Sequence, residues 1–503
     1  MATTTPYRIV IAGGGTAGWM AAAALIRFLG QGFAVTLVES DAIGTVGVGE
    51  ATIPQIGMFN ASLGIDEDAF VAATRASYKL AIEFVGWTRG GRYMHAFGDV
   101  GRDNGLLAFR HTWLRGMAEG VAAPLCAYAL NNVAALGNRM QRGPTRTVRV
   151  LPEMPYAFHL DAGLYARFLR DYAEARGVVR HEGRIEAVTR NGADGDVAAL
   201  HLDSDRRIEG DLFLDCTGFH ARLIGEAMGV GYQDWSHWLP CDRALAVPSA
   251  RARDFTPYTR ATAHDAGWQW RIPLQHRTGN GIVYASRYLS DDEAAARLLA
   301  GLDEPALGDP RPIRFRTGRR EQAWAGNVIA LGLSSGFLEP LESTSIHMIQ
   351  SAVERILKLL PGRRAPAPLR DSYNRQAAHE SERIRDFLIL HYWANDRDAP
   401  FWRERRETPV PHGLAEKIAL WRETGEILRE DGDLFSDVAW LQVLVGQGIT
   451  ARGHHPLADQ PPRAQIAEYL DLLAKLNARE VAQMPPHSDF VRAHGAADAE
   501  IAA

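Results

Sequence analysis

The chain has 503 residues, of which 46% are hydrophobic and 23% charged, an ordinary composition for a globular protein of two or three domains. With 55 Lys+Arg against 60 Asp+Glu the formal net charge is −5, which excludes the basic surplus of a general nucleic-acid binder. Three cysteines (Cys126, Cys216, Cys241), none in a CxxC pair, exclude a disulfide framework and a zinc ribbon and fit a reducing, cytoplasmic setting.

The uncharged stretch Ile9–Ile26 is long enough to suggest a signal peptide or a membrane span, but Gly13, Gly14, Gly15 and Gly18 interrupt it. A strand over Tyr7–Ala12, a glycine turn and a helix over Trp19–Leu29 explain it better, and no membrane contact is expected. Ala34–Glu39 reads as a second buried strand, which completes a βαβ unit. Asp161 is a candidate N-cap for a helix through Ala175, followed by short strands near Val178, near Ile185 and over Ala198–Leu202. Asp211–Asp215 and Asn327–Leu331 read as further buried strands, and Ile346–Leu360 as a helix stopped by Pro361-Gly362. Beyond residue 365 the chain turns helical, with arginine-rich faces and an amphipathic stripe at Ile466, Leu470 and Leu473. The end, His494–Ala503, is small or polar and expected to fray.

Gly13-Gly14-Gly15-Thr16-Ala17-Gly18 fits G-x-G-x-x-G between strand and helix, and Glu39 follows Gly18 by 21 residues at the end of the second strand. Gly13 permits the tight turn, Gly15 the approach of a pyrophosphate, and Gly18 the packing of helix on strand. The helix N-terminus stabilises phosphate charge, and Glu39 can accept from ribose hydroxyls. This predicts dinucleotide binding without separating FAD from NAD. Gly47-Val48-Gly49-Glu50-Ala51-Thr52-Ile53-Pro54 reads locally as a glycine loop leading into a helix with Thr52 as cap.

That string, Gly267-Trp268-Gln269-Trp270-Arg271-Ile272-Pro273 and Gly336-Phe337-Leu338-Glu339-Pro340-Leu341-Glu342-Ser343-Thr344 together resemble the flavin-dependent halogenases of the tryptophan halogenase family. The likeness continues through Asp215-Cys216-Thr217-Gly218-Phe219 and His391-Tyr392-Trp393-Ala394-Asn395-Asp396-Arg397, so it covers nearly the whole chain. It implies an α/β fold: a Rossmann-like FAD-binding module of the glutathione-reductase type built from separated segments, beside a substrate module helical toward its C-terminus. The expected segments are 1–95, 150–240 and 310–365 for FAD, and 96–149, 241–309 and 366–503 for substrate.

The resemblance further implies FAD, used as FADH2, held by Gly13, Gly15, Thr16, Ala17, Gly18, Glu39, Gly49, Glu50, Ala51, Ile185 and Leu333. In the family, oxygen is reduced at the flavin to a C4a-hydroperoxide, which halide (chloride or bromide) attacks to give hypohalous acid. Lys79 occupies the position of the family's catalytic lysine, where an ammonium can hydrogen-bond this oxidant or form a haloamine. By residue type alone Lys79 would read as a solvated helical lysine paired with Glu83 at i, i+4. Glu342 matches the second catalytic residue, able to take the proton lost from the arenium intermediate. On local grounds it is a carboxylate favoured by the dipole of the helix that follows. Thr344 and Ser345 match the halide site. The relatives carry glycine at the latter position, where a left-handed conformation would disfavour serine. Trp268 and Trp270 read locally as core aromatics alternating on a strand. The resemblance makes them, with Ile272 and Pro273, bulk between flavin and substrate, and it lets His95 and Phe97 line the substrate pocket.

Leu434-Phe435 and Glu430 fall where tryptophan-specific relatives place an aromatic pair and an acid, ahead of Gly446-Gln447-Gly448. A leucine in that pair gives a wider pocket, so indole or a substituted indole is expected ahead of free tryptophan. A separate NAD(P)H-dependent flavin reductase is implied by the single dinucleotide fingerprint, and no metal site is evident. Monomer and homodimer both remain open. Rival readings are a tryptophan halogenase proper, a flavin-dependent hydroxylase and a flavin-binding protein without catalysis. Against the hydroxylase, Gly332-Leu333 lacks the Asp such enzymes usually carry after this glycine.

Overall fold

The computed structural model describes residues 6–43, 49–88, 91–146, 151–253, 255–362 and 365–495. The chain divides into two compact units: residues 1–76, 160–236 and 314–382, and residues 77–159, 237–313 and 383–503. The first boundary therefore falls before Lys79, so Lys79 and His95 belong to the second unit, where the expected segment 1–95 would have put them in the first.

In the first unit the strand Tyr7–Ala12 lies inside a six-stranded sheet, with Phe33–Glu39 on one side and Leu212–Asp215 on the other, all parallel. Its residues Ile9, Val10, Ile11 and Ala12 are all buried, on both faces of the sheet, which is why they are apolar without alternation. Val179–Glu182 extends the sheet beyond Phe33–Glu39, and Val328–Ala330 extends it beyond Leu212–Asp215. Trp324–Ala325 closes that edge antiparallel. The chain steps from Tyr7–Ala12 to opposite sides, so the carboxyl ends of these central strands form a switch point, where open α/β sheets bind ligands.

The helix Thr16–Phe28 opens that site three residues earlier than its apolar run suggests, because the glycine loop itself ends in helical geometry. It packs on the helices Ala162–Glu174 and Ser345–Lys358. Asp161 caps the former as anticipated, accepting from the Leu164 N–H at 3.0 Å. An antiparallel sheet of Ile185–Arg190, Val197–Leu202 and Arg207–Glu209 completes a core with Val10, Phe213, Ile224 and Val328. Thr52 does not cap the next helix. Gln55–Ser62 begins behind Pro54, whose fixed φ of −55° suits a helix entry.

The second unit contains the helices expected after residue 365, but also a seven-stranded sheet that periodicity did not reveal. Its order runs Arg311–Arg314, Arg243–Ser249, Thr278–Tyr284, Gly267–Pro273, Tyr258–His264, Ala81–Val85, Arg92–Ala96. The Trp268–Pro273 segment sits near its middle with every residue buried. Gly281, on the neighbouring strand, is required by packing: a Cβ there would lie 2.1 Å from the Trp270 ring.

Candidate active site

The sequence-predicted residues divide between the two units. In the first, Gly13 adopts φ +110°, and a Cβ on it would stand 2.3 Å from the Cys216 carbonyl oxygen. A Cβ on Gly18 would stand 1.9 Å from the Gly13 carbonyl oxygen. Gly15 differs, since a Cβ there would meet nothing within 4 Å. It is the one glycine of the fingerprint whose bare side opens on free space, at the N-terminus of a helix that no side chain caps. Unpaired first-turn N–H groups and an open approach fit a pyrophosphate.

Asp215 buttresses the loop from behind. Its buried carboxylate accepts from the N–H groups of Thr217, Leu223 and Ile224, which fixes the turn that presents the Cys216 carbonyl to Gly13. Gly332, at φ +63°, approaches Ala17, placing Leu333 beside the first turn of the same helix. Ile185, half-buried, offers its carbonyl to Arg222.

Glu39 stands where the fingerprint requires an acid, with protein partners of its own. It accepts from Trp19 Nε1 at 3.2 Å and from Arg180 Nε at 2.5 Å. Arg180 is a neighbour the fingerprint does not specify. Gly49 takes φ +79°, and burial pushes the Glu50 carboxyl up to about 7. Ala51 is buried, while Gly47 and Val48 lie outside the described residues.

Glu342 ends a short 3-10 turn (Pro340–Glu342) and is buried. The residue in left-handed geometry is Ser343 (φ 59°), not Ser345, which is the first residue of the helix Ser345–Lys358. The serine at 345 is therefore unstrained, and the replacement of glycine there carries no backbone penalty. Thr344 is fully buried, and among the described residues its Oγ1 has no hydrogen-bond partner. A buried hydroxyl without a partner costs on the order of 1–3 kcal/mol, and beside an uncapped helix start it fits an anion as acceptor of its proton.

In the second unit Lys79 is not helical. It ends the strand Ser77–Lys79, which pairs antiparallel with Ala157–Leu160, and its side chain is fully buried. Glu83 does not pair with it, being held by Arg92 and by Arg260 Nε at 2.9 Å. Two backbone bonds fix the turn after Lys79: Leu80 N–H donates to Pro257 O at 2.7 Å, and Leu80 O accepts from Phe97 N–H at 3.0 Å. The second brings Phe97 alongside, with Lys79 Nζ 5.2 Å from its ring centroid.

Trp268 and Trp270 share one face of their strand, with ring centroids 6.1 Å apart. Ile272 and Pro273 are buried at its end. His95 is buried with its ring 5.8 Å from Phe387, and Phe387 stacks on Phe435 at 3.9 Å. Phe387 is thus the hub between His95 and Phe435, and its position within a long helix gave no sign of it. Glu430 is exposed and engaged by Arg383 and Lys417 at 2.9 and 3.4 Å, so it stands apart from the buried aromatic cluster. Among the described residues no three His, Cys, Asp or Glu side chains gather as a metal site, and no helix is long and apolar enough to cross a membrane.

The tryptophan halogenase family model matches residues 8–463. The chain belongs to the tryptophan halogenase family. It is 39% identical over 500 residues to tryptophan 6-halogenase SttH of Streptomyces toxytricini, spanning 93% of this chain and 95% of that one. Among solved structures it is similar to Xcc4156, a flavin-dependent halogenase from Xanthomonas campestris, with 48% identity, a TM-score of 0.95 and coverage of 99% and 100%. BrvH, a flavin-dependent halogenase from Brevundimonas sp. BAL3, matches at 46% identity and a TM-score of 0.93, covering 97% and 99%. The chain is accordingly a flavin-dependent halogenase with the mixed α/β fold of that family.

Proposed function

We propose that the enzyme halogenates an electron-rich aromatic, indole or a substituted indole in preference to free tryptophan. The observation that carries the reading is the fully buried Lys79 with its ammonium over the ring of Phe97. Burying such a group is costly unless it is used or paired, and an aromatic face is one partner for it. The glycine loop, with Gly15 open and Gly13 and Gly18 closed by packing, would hold the FAD pyrophosphate, with Thr16 and Ala17 in the helix turn behind it. Glu39, Gly49, Glu50, Ala51, Ile185 and Leu333 are proposed as the remaining cofactor contacts.

Reduced flavin, when bound, supplies two electrons toward the reduction of dioxygen. Halide supplies the other two, so one oxygen atom leaves as water and the other is carried in hypohalous acid, to leave as a second water when its halogen passes to the ring. Thr344 and the first N–H groups of the Ser345–Lys358 helix hold the halide. Lys79 holds the electrophilic halogen, by hydrogen bond to hypohalous acid or as a haloamine. The ring carbon gains halogen and loses a proton, which Glu342 accepts. Trp268, Trp270, Ile272 and Pro273 keep the aromatic away from the flavin and so suppress direct hydroxylation. His95, Phe97 and Phe435 line the aromatic's pocket. A separate NAD(P)H-dependent reductase supplies the reduced flavin, in the cytoplasm.

The preference for indole rests on Glu430, whose carboxylate is engaged by Arg383 and Lys417. A competition between indole and tryptophan at equal concentration, with bromide and a flavin reductase, tests it. Haloindole should dominate, with attack at the electron-rich C3. Predominant halogenation of tryptophan on its benzo ring refutes the preference, and a hydroxylated product refutes the halogenation.

A further inference from the structure

Behind Lys79 lies a buried polar chain that no motif pointed to. Ser77, two residues earlier on the same short strand, shares a face with Lys79 and sits directly opposite His159. Ser77 Oγ is 2.6 Å from the carbonyl oxygen of Pro273, the last residue of the strand bearing Trp268 and Trp270. Two oxygens that close need a proton between them, and a carbonyl has none, so the serine proton is committed to Pro273. The 3.2 Å contact between Ser77 Oγ and His159 Nδ1 is then donated by the imidazole. Burial, and next the charge of Lys79, hold His159 well below its ordinary pKa, so the ring is neutral and Nε2 keeps its lone pair. That lone pair takes the proton of Thr259 Oγ1 at 2.8 Å. Proton counting thus allows one orientation: Thr259 donates to His159, His159 to Ser77, and Ser77 to Pro273.

All three side chains are buried. A polar chain in such a place is costly to desolvate, and an apolar trio of similar volume would pack there without that cost. What the chain does, and an apolar trio would not, is tie four strands at one register: Tyr258–His264, Ala157–Leu160, Ser77–Lys79 and Gly267–Pro273. The strand Ser77–Lys79 has only three residues and few ladder bonds of its own. We infer that the Thr259–His159–Ser77 chain is a positioning device for Lys79, fixing its strand against the Pro273 end of the tryptophan-bearing strand. The inference rests on the role proposed above for Lys79. A displacement near 1 Å at a reacting group costs ~100-fold in rate, which sets the scale of the effect.

Thr259→Val keeps the shape and removes the first proton donor, and Thr259→Ser restores it. Ser77→Ala cuts the link to Pro273. Each full-length variant is assayed with indole, bromide and reductase-supplied FADH2 for kcat, for KM, for flavin affinity, and for the share of oxidant escaping to a soluble trap. Thr259→Val and Ser77→Ala should lower kcat and product yield ~10- to 100-fold, while KM for indole and flavin affinity stay within ~2-fold and trapped oxidant rises. Thr259→Ser should recover most of the yield. Unchanged kcat and yield in both variants overturn the inference. So do losses that merely follow a lower melting temperature and vanish in a cooler assay. Lys79→Ala run alongside separates the two claims. If it is inactive while the other variants behave as wild type, only the positioning fails. If it is fully active, the role of Lys79 fails and the positioning with it.

Discussion

Two glycines of one loop should fail in opposite ways. At Gly18 a methyl group would lie 1.9 Å from the Gly13 carbonyl oxygen, more than 1 Å inside the closest tolerated approach, and both atoms belong to a tight backbone turn. Relief requires the Thr16–Phe28 helix to lift off the central strand, with overpacking costs of about 1–3 kcal/mol or more. At Gly15 the same methyl group touches nothing. Gly15→Ala should therefore leave the flavin-free protein as stable as wild type, or slightly more so through a less flexible unfolded chain. Its methyl would instead occupy the space of the pyrophosphate, and a loss of ~1–3 kcal/mol there weakens flavin binding ~5- to 150-fold. Thermal melts of flavin-free protein and titrations with FAD measure the two effects separately. Gly18→Ala should lower the melting temperature, while Gly15→Ala should lower affinity alone. A Gly15→Ala protein that binds FAD normally would refute the placement of the pyrophosphate.

Glu342→Gln should retain the fold and flavin affinity while losing ~10²- to 10⁴-fold in halogenation rate, measured at saturating halide. Thr344→Val removes the unpartnered hydroxyl and should raise the KM for halide with little change in KM for indole, read from initial rates across bromide concentrations. The fold itself should weaken in acid through His487, which donates from Nδ1 to Phe255 O while its buried Nε2 lacks a partner among the described residues. Burial lowers its pKa from the usual 6.5 to about 4. The unfolded chain therefore binds the extra proton first. Stability is complete above pH 6.5 and falls as the pH drops toward 4, by about 3 kcal/mol in all. Denaturant melts at pH 7.5 and pH 5 should show a smaller acid loss in His487→Gln than in wild type.

The unit built on the parallel sheet was legible because its signals are local. An apolar β-branched run, a glycine turn and Asp161 before a helix each act within a few residues, and the fold uses them as read. The surroundings of Lys79 were not. Ser-Tyr-Lys-Leu with Glu83 four residues on imitates a helical ion pair, and only tertiary pairing with Ala157–Leu160 makes it a strand. The polar chain behind it joins residues 82, 100 and 196 positions apart, a separation at which spacing carries no signal. The seven-stranded sheet hid for a similar reason. Pro248 lies within one of its strands, and Gly279 and Gly281 weaken the apparent propensity of another, yet Gly281 is what the Trp270 ring needs. The left-handed residue expected at position 345 lies two residues earlier, at Ser343, because the helix already begins at Ser345.

Lys79 is proposed to deliver an oxidised halogen to an aromatic ring. The most direct measurement is the mass spectrum of the product formed from indole, bromide and reductase-supplied FADH2, by wild type and by Lys79→Ala loaded with equal flavin. Wild type should give the paired bromine isotope signature on indole, and the variant none, with any oxidant recovered in solution. A product heavier by one oxygen from wild type, or brominated indole at the wild-type rate from Lys79→Ala, would contradict the account.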